Sequence, residues 1–175
     1  MVGLIGAVSY GLAAAAFVLI TALLVISWRG RATGALLVGA TVISAVWASR
    51  LAYEFATDSL GSQWWNILEV LRNAAWFLFL TSLLTSAQPR DEIHSPAIKW
   101  FPRGLALICI TLLAGAVLMP WFPQYQTELR FATDILGRII LAIAGMALVE
   151  FVYRNARPDQ RWGIKFLCLG AGGMF

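Results

Sequence analysis

The chain has 175 residues, 60% of them hydrophobic and only 13% charged, with a formal net charge of +4 and a mean hydropathy of +0.77. That balance excludes an ordinary soluble domain, in which apolar residues make up only about half of the chain, and places this one among integral membrane proteins. The small positive charge argues for no acidic partner and no nucleic acid, because basic residues in a membrane protein first report topology.

The first predicted span covers residues 4–28, roughly 37 Å of helix against an apolar bilayer core of about 30 Å. It has no basic segment before it, and Arg29 and Arg31 come after it. A retained membrane helix is therefore expected, not a cleaved signal. Span two is predicted over residues 34–54, with Arg50 and Glu54 at its far end, and a short polar connection follows. Span three, residues 64–85, is the segment around which the others are arranged. At 3.6 residues per turn, Trp65, Asn66, Glu69, Arg72, Asn73 and Trp76 form one stripe, with Leu68, Val70, Leu71, Ala74, Ala75, Phe77 and Leu78 around the rest of the cylinder. Lipid offers such a stripe no partner, so it must face protein or a wet cavity.

Residues 86–103 read as a polar loop holding Pro89, Pro96 and Pro102, followed by span four over residues 104–121 and a Pro120-Trp121-Phe122-Pro123 turn. Span five is predicted over residues 131–153 and leads to a basic loop with Pro158. All six prolines fall in predicted loops or in the turn at the end of span four, as expected of a residue that breaks the helical ladder. The last apolar run, residues 162–175, makes only about 21 Å of helix, which predicts a sixth span cut short and a chain that continues. The fold expected is an all-α polytopic transmembrane bundle over residues 1–175, with five full spans plus a truncated sixth.

Basic residues set its orientation. Arg29 and Arg31, then Arg90, Lys99 and Arg103, then Arg154, Arg157 and Arg161 follow the odd-numbered spans, whereas Arg130 is nearly alone on the other side. The N-terminus is therefore expected outside. Trp28, Trp64, Trp65, Trp121 and Trp162 stand at the ends of apolar runs, as an interfacial belt requires. Cys109 and Cys168 lie inside apolar runs and read as core fillers.

In this orientation Arg50 and Glu54, Glu69 and Arg72, and Asp134 and Arg138 all fall toward the outer face, each pair spaced three or four apart. A lone charge at mid-membrane costs about 3 kcal/mol. A shared polar core of Arg50, Glu54, Glu69, Arg72, Asn73, Asp134 and Arg138 is therefore expected. Two readings of it stay open, a structural core that holds helix register and a site that receives a ligand or signal. Glu150 points away from the Asp134/Arg138 face, and Arg154 is placed to snorkel to the cytoplasmic surface. His94 reads as a solvated loop residue, and with a single His and no Cys pair a metal site is not expected. Gly170-Ala171-Gly172-Gly173, embedded in an apolar run, reads as a close-packing helix surface. No Ser/His/Asp set, P-loop or HExxH motif occurs, so no catalytic residue is assigned.

Three segments carry a family resemblance. They are Ser27-Trp28-Arg29-Gly30-Arg31 with Gly34-Ala35-Leu36-Leu37, then Leu68-Glu69-Val70-Leu71-Arg72-Asn73-Ala74-Ala75-Trp76, and then Val149-Glu150-Phe151-Val152-Tyr153-Arg154-Asn155 running into Gln160-Arg161-Trp162-Gly163-Ile164-Lys165-Phe166-Leu167-Cys168-Leu169-Gly170. Together they resemble the N-terminal membrane region of the PrsK family, the bacterial sensor histidine kinases of the PEP-CTERM/exosortase system. Residues 88–103 and 120–128 are the stretches where the likeness lapses. The resemblance implies a multi-pass protein of the bacterial inner membrane, with further spans and then cytoplasmic GAF-like and kinase domains. It also implies a homodimer, ATP and Mg in the kinase portion, and a cognate response regulator controlling exopolysaccharide and PEP-CTERM protein expression. The family's phosphoacceptor His and nucleotide-binding residues have no counterpart in this chain, and His94 does not take that role. Two other classes stay open: a small transporter with the charged core as an ion or proton relay, and a purely structural membrane anchor.

Overall fold

The computed structural model describes residues 2–27, 30–57, 63–87, 96–118, 121, 135–155, 170 and 172. Among them the chain is helical and contains no strand. Five long helices occur in order: α1 Val2–Ile26, α2 Ala32–Ala56, α3 Gln63–Ala87, α4 Pro96–Leu118 and α5 Gly137–Asn155. Three stretches, Gly3–Ile26, Ala32–Ala56 and Trp64–Thr85, are each long and apolar enough to cross a membrane. His94, Asp134, Cys168 and most of the expected sixth span lie outside the described residues. The chain divides into two compact units, Met1–Ala75 and Trp76–Phe175, with the boundary inside α3.

In the first unit α1 and α2 form an antiparallel hairpin. The link between them needs Gly30, whose φ of 75° lies where a side chain is strained. Near the N-terminus of α1, Gly6 lies against Phe55, close to the end of α2, so tightly that a Cβ would come within 2.6 Å of the ring. Tyr10 stacks on Phe55 with centroids 5.4 Å apart and meets Trp47 edge-on at 5.7 Å. Further along, the Thr21 and Thr41 hydroxyls are 2.9 Å apart. Thr21 also reaches the Phe17 carbonyl and Thr41 the Val38 carbonyl. Whichever hydroxyl donates across the gap, the other still has a carbonyl acceptor. In lipid such self-satisfaction is required, because no water is present to take up an idle hydroxyl. Ser44 does the same within α2, donating to the Ala40 carbonyl at 2.8 Å. The buried line of α2 is small, with Ala40, Thr41, Ser44, Ala45 and Ala48, which is what lets a neighbouring helix approach closely. Most of α1 exposes Leu, Ile and Val, a surface suited to acyl chains.

In the second unit the later half of α3 buries Trp76, Phe77, Phe79, Leu80 and Leu84, with Trp76 and Phe79 edge to face at 6.0 Å. Helix α4 buries Leu105, Cys109 and Ala116 along one face and is in contact with α5. The buried line of α5 is Gly137, Leu141, Gly145, Leu148 and Val152, a stripe at helical spacing, while Ile139, Ile140, Ile143 and Met146 are exposed. Gly172 also approaches α5, since a Cβ there would lie 3.8 Å from Met146 Sδ.

One expected boundary is corrected. The segment read as a loop up to residue 103 is helical from Pro96 onward, and Pro102 lies inside α4. Pro96 opens the helix, where the N–H that proline lacks would have no intrahelical partner anyway. Pro102 lies six residues further in, within the second turn, and removes only the bond to the Ile98 carbonyl, which a 23-residue helix can absorb. Arg103 lies over the Trp100 ring at 5.5 Å, an i, i+3 pair that favours continued helix across the break.

Candidate functional site

The polar face of α2 and the first half of α3 is the part of the first unit whose chemistry is not explained by lipid contact. Arg50 and Glu54 lie one turn apart on α2, and Arg50 Nε donates to Glu54 Oε1 at 3.1 Å. Spacing alone predicts the pair, but the burial is uneven. The Glu54 side chain is 0% exposed and the Arg50 side chain 38%. The carboxylate is enclosed and the Arg50 side chain is partly open, with its guanidinium carbon 5.6 Å from the centre of the Tyr53 ring.

Arg72 takes a different partner. Its guanidinium carbon is 4.0 Å from the centroid of the Trp47 ring on α2, close enough for a cation–π contact worth about 2 kcal/mol when desolvated. Glu69, three residues earlier on α3, and Tyr10 on α1 both act electrostatically on Arg72. Trp47 therefore has a cation over its face and the Tyr10 ring at its edge, while its own Nε1 is buried without a hydrogen-bond partner among the described residues. Asn73, next to Arg72, is buried. Trp64 and Leu71, on the opposite face of α3, are exposed, so the stripe carrying Glu69, Arg72 and Asn73 faces the protein.

Five of the expected polar-core residues, Arg50, Glu54, Glu69, Arg72 and Asn73, thus belong to the first unit. Arg138, half-buried on α5, belongs to the second, and Asp134 lies outside the described residues. Glu150 and Arg154 form an ion pair on α5 at 2.9 Å, with the side chains 63% and 75% exposed. Tyr10 and Trp47 are the site residues that sequence reasoning missed. The signal was present for Trp47, which sits within an apolar run and not at its end, and so is misplaced for an interfacial belt.

An open cleft of about 270 Å³ lies beside this face, lined by Arg50, Trp64 and Leu68. No group of three or more His, Cys, Asp or Glu side chains able to hold a metal ion is found among the described residues. Set beside the known protein families, the curated proteins and the solved structures, the chain matches none of them.

Proposed function

We propose that this chain is the membrane-embedded sensor region of a bacterial sensor histidine kinase, sitting in the inner membrane with its N-terminus outside and with five spans and the start of a sixth. Two things support the proposal: the resemblance carried by residues 27–37, 68–76 and 149–170, and the contact that ties three helices of the first unit together. The single observation that carries it is the Tyr10–Trp47–Arg72 cluster, with one residue from each of α1, α2 and α3. The Arg72 cation is held on the aromatic face of Trp47, with Glu69 acting on it from its own helix. A change in bilayer or envelope state that slides α3 against α2 therefore breaks or remakes the contact as a unit. Such a two-position contact is what a switch requires. ATP and Mg would act in the kinase portion, through residues this chain does not contain, and the response regulator would be met there.

The experiment has two arms. The gene should continue past residue 175 into a phosphoacceptor His and an ATP-binding domain. In that full-length protein, Glu69→Gln and Arg72→Ala should change signal-dependent autophosphorylation at unchanged protein level. A gene without those domains, or an unaltered response in both variants, sinks the proposal. A second reading, a structural anchor, is favoured by the Arg50–Glu54 pair, which neutralises itself within one helix. It predicts that output is indifferent to all of these changes.

A further inference from the structure

We infer that the exposed face at the start of α4 binds the headgroup of an anionic phospholipid through Arg103 and Trp100. The inference needs α4 to lie in a bilayer but does not depend on the kinase assignment. Charge comes first. Helix α4 carries Lys99 and Arg103 and no acidic residue, so neither cation has a carboxylate within its own helix. Arg50 and Arg154 differ, each being paired with a glutamate one turn away. Arg103 is exposed, and its contact among the described residues is with the Trp100 ring, at 5.5 Å. The ring holds the side chain but offers no oxygen acceptor. The guanidinium fork therefore stays open for two phosphate oxygens.

Position agrees. Trp100, Arg103, Leu107 and Ile110 recur at helical spacing and are all exposed. They lie opposite the buried line of Leu105, Cys109 and Ala116, on the side of α4 that would meet lipid. The apolar part of the helix, Pro102–Leu118, is roughly 25 Å long against an apolar core of about 30 Å. Centred in that core, it leaves Trp100, which is 68% exposed, at the level where indole rings settle. Helical side chains lean toward the N-terminus, which at this end of α4 is the way out of the bilayer. Arg103 does so over Trp100, and its guanidinium is carried toward the phosphate layer. Leu107 and Ile110 then run below it, where acyl chains would lie. Every phospholipid has a phosphate, and charge makes the choice between them. Phosphatidylcholine would bring its own cation beside Lys99 and Arg103, whereas phosphatidylglycerol would not.

The test is native mass spectrometry of the full chain in detergent micelles, titrated with phosphatidylglycerol or with phosphatidylcholine of the same acyl chains. Phosphatidylglycerol should bind more tightly. Arg103→Gln should weaken it about fivefold, the loss of one basic side chain beside an anionic lipid, and leave phosphatidylcholine binding unchanged. Trp100→Leu keeps the charge but removes the ring, and should weaken phosphatidylglycerol about twofold. Both side chains are exposed, so neither change strands a buried partner and both variants should fold. Arg154→Gln removes the same charge from a glutamate-paired position on α5 and should cost less than Arg103→Gln. Equal affinity for the two lipids in the wild type, or a preference that survives Arg103→Gln, overturns the inference. So does an equal loss with Arg154→Gln, because the lipid would then be reading net charge and not this face. A preference untouched by Trp100→Leu overturns the stacked pair as the binding unit. Displacement by inorganic phosphate at concentrations matching the lipid overturns the lipid as occupant in favour of a free anion. A chain that does not float with phosphatidylglycerol vesicles overturns the membrane placement itself.

Discussion

The Arg72 guanidinium lies over the Trp47 indole at 4.0 Å, and this contact joins α3 to a hairpin whose own helices are held by aromatic stacking. If the pair is coupled, Trp47→Leu and Arg72→Gln should each destabilise the chain, and the double variant should lose less than the sum. The expected coupling is about 1–2 kcal/mol, the range of a cation–π contact away from water. Reversible unfolding in mixed detergent micelles measures it. Additive losses would mean that the two side chains merely pass each other.

Gly6 sets the second expectation. A Cβ there would come within 2.6 Å of Phe55 Cδ1, and that ring cannot simply swing away because Tyr10 stacks on it. Gly6→Ala should therefore cost about 1–3 kcal/mol, as overpacking in a filled interior does. Gly11→Ala on the same helix, with nothing within 4 Å, is the control and should be near neutral. Adding Phe55→Leu to Gly6→Ala should restore most of the loss. No rescue would locate the strain in the backbone and not in the ring.

Glu54 has a 0% exposed side chain and takes a counter-charge from Arg50. Arg50→Leu should be among the most damaging single changes in the first unit, near the low end of the roughly 3–5 kcal/mol seen when a buried pair is broken, since Arg50 itself is partly open. Replacing both with apolar residues, Arg50→Met/Glu54→Leu, should recover most of that and match or exceed the wild type, because neither charge then needs sheltering. If the double variant is as unstable as the single one, the pair contributes through its shape and not its charge.

The Glu150–Arg154 pair is the counter-example. It has the same spacing and an even shorter separation, 2.9 Å, yet both side chains are largely open. Exposed pairs of this kind contribute about 0–1 kcal/mol. Glu150→Gln should therefore leave unfolding midpoints within error of the wild type, and a loss as large as that for Arg50→Leu would place α5 in a drier setting than its exposure indicates.

The features legible in the sequence were those that a single helix determines. Apolar length marked out α1, α2 and α3 to within a few residues, and spacing within one helix found the Arg50–Glu54 pair and the inward stripe of Glu69, Arg72 and Asn73. What sequence could not supply was register between helices. Nothing local says that position 47 of one helix stands opposite position 72 of another, or that position 10 closes the cluster, because those matches depend on crossing geometry and loop length. Only the odd location of Trp47, deep in an apolar run, hinted at it. The start of α4 was misread for a different reason. Three prolines in fourteen residues suggest a loop, but one at the first helical position and one in the second turn are both compatible with a helix.

Pro102 supplies the last expectation. It lies inside α4, where its missing N–H leaves the Ile98 carbonyl without its usual donor and its ring crowds that carbonyl. Near a helix start the penalty falls below the roughly 3 kcal/mol of a mid-helix proline, since fewer bonds precede it. Pro102→Ala should therefore restore the bond, raise the thermal midpoint and give residue 102 an amide that is protected in hydrogen exchange. Pro96→Ala, at a position with no intrahelical bond to regain, should change neither. An unchanged midpoint with Pro102→Ala would mean that the first turns of α4 contribute nothing to the stability of the second unit, and that the helix is anchored by its apolar stretch from Pro102 to Leu118 alone.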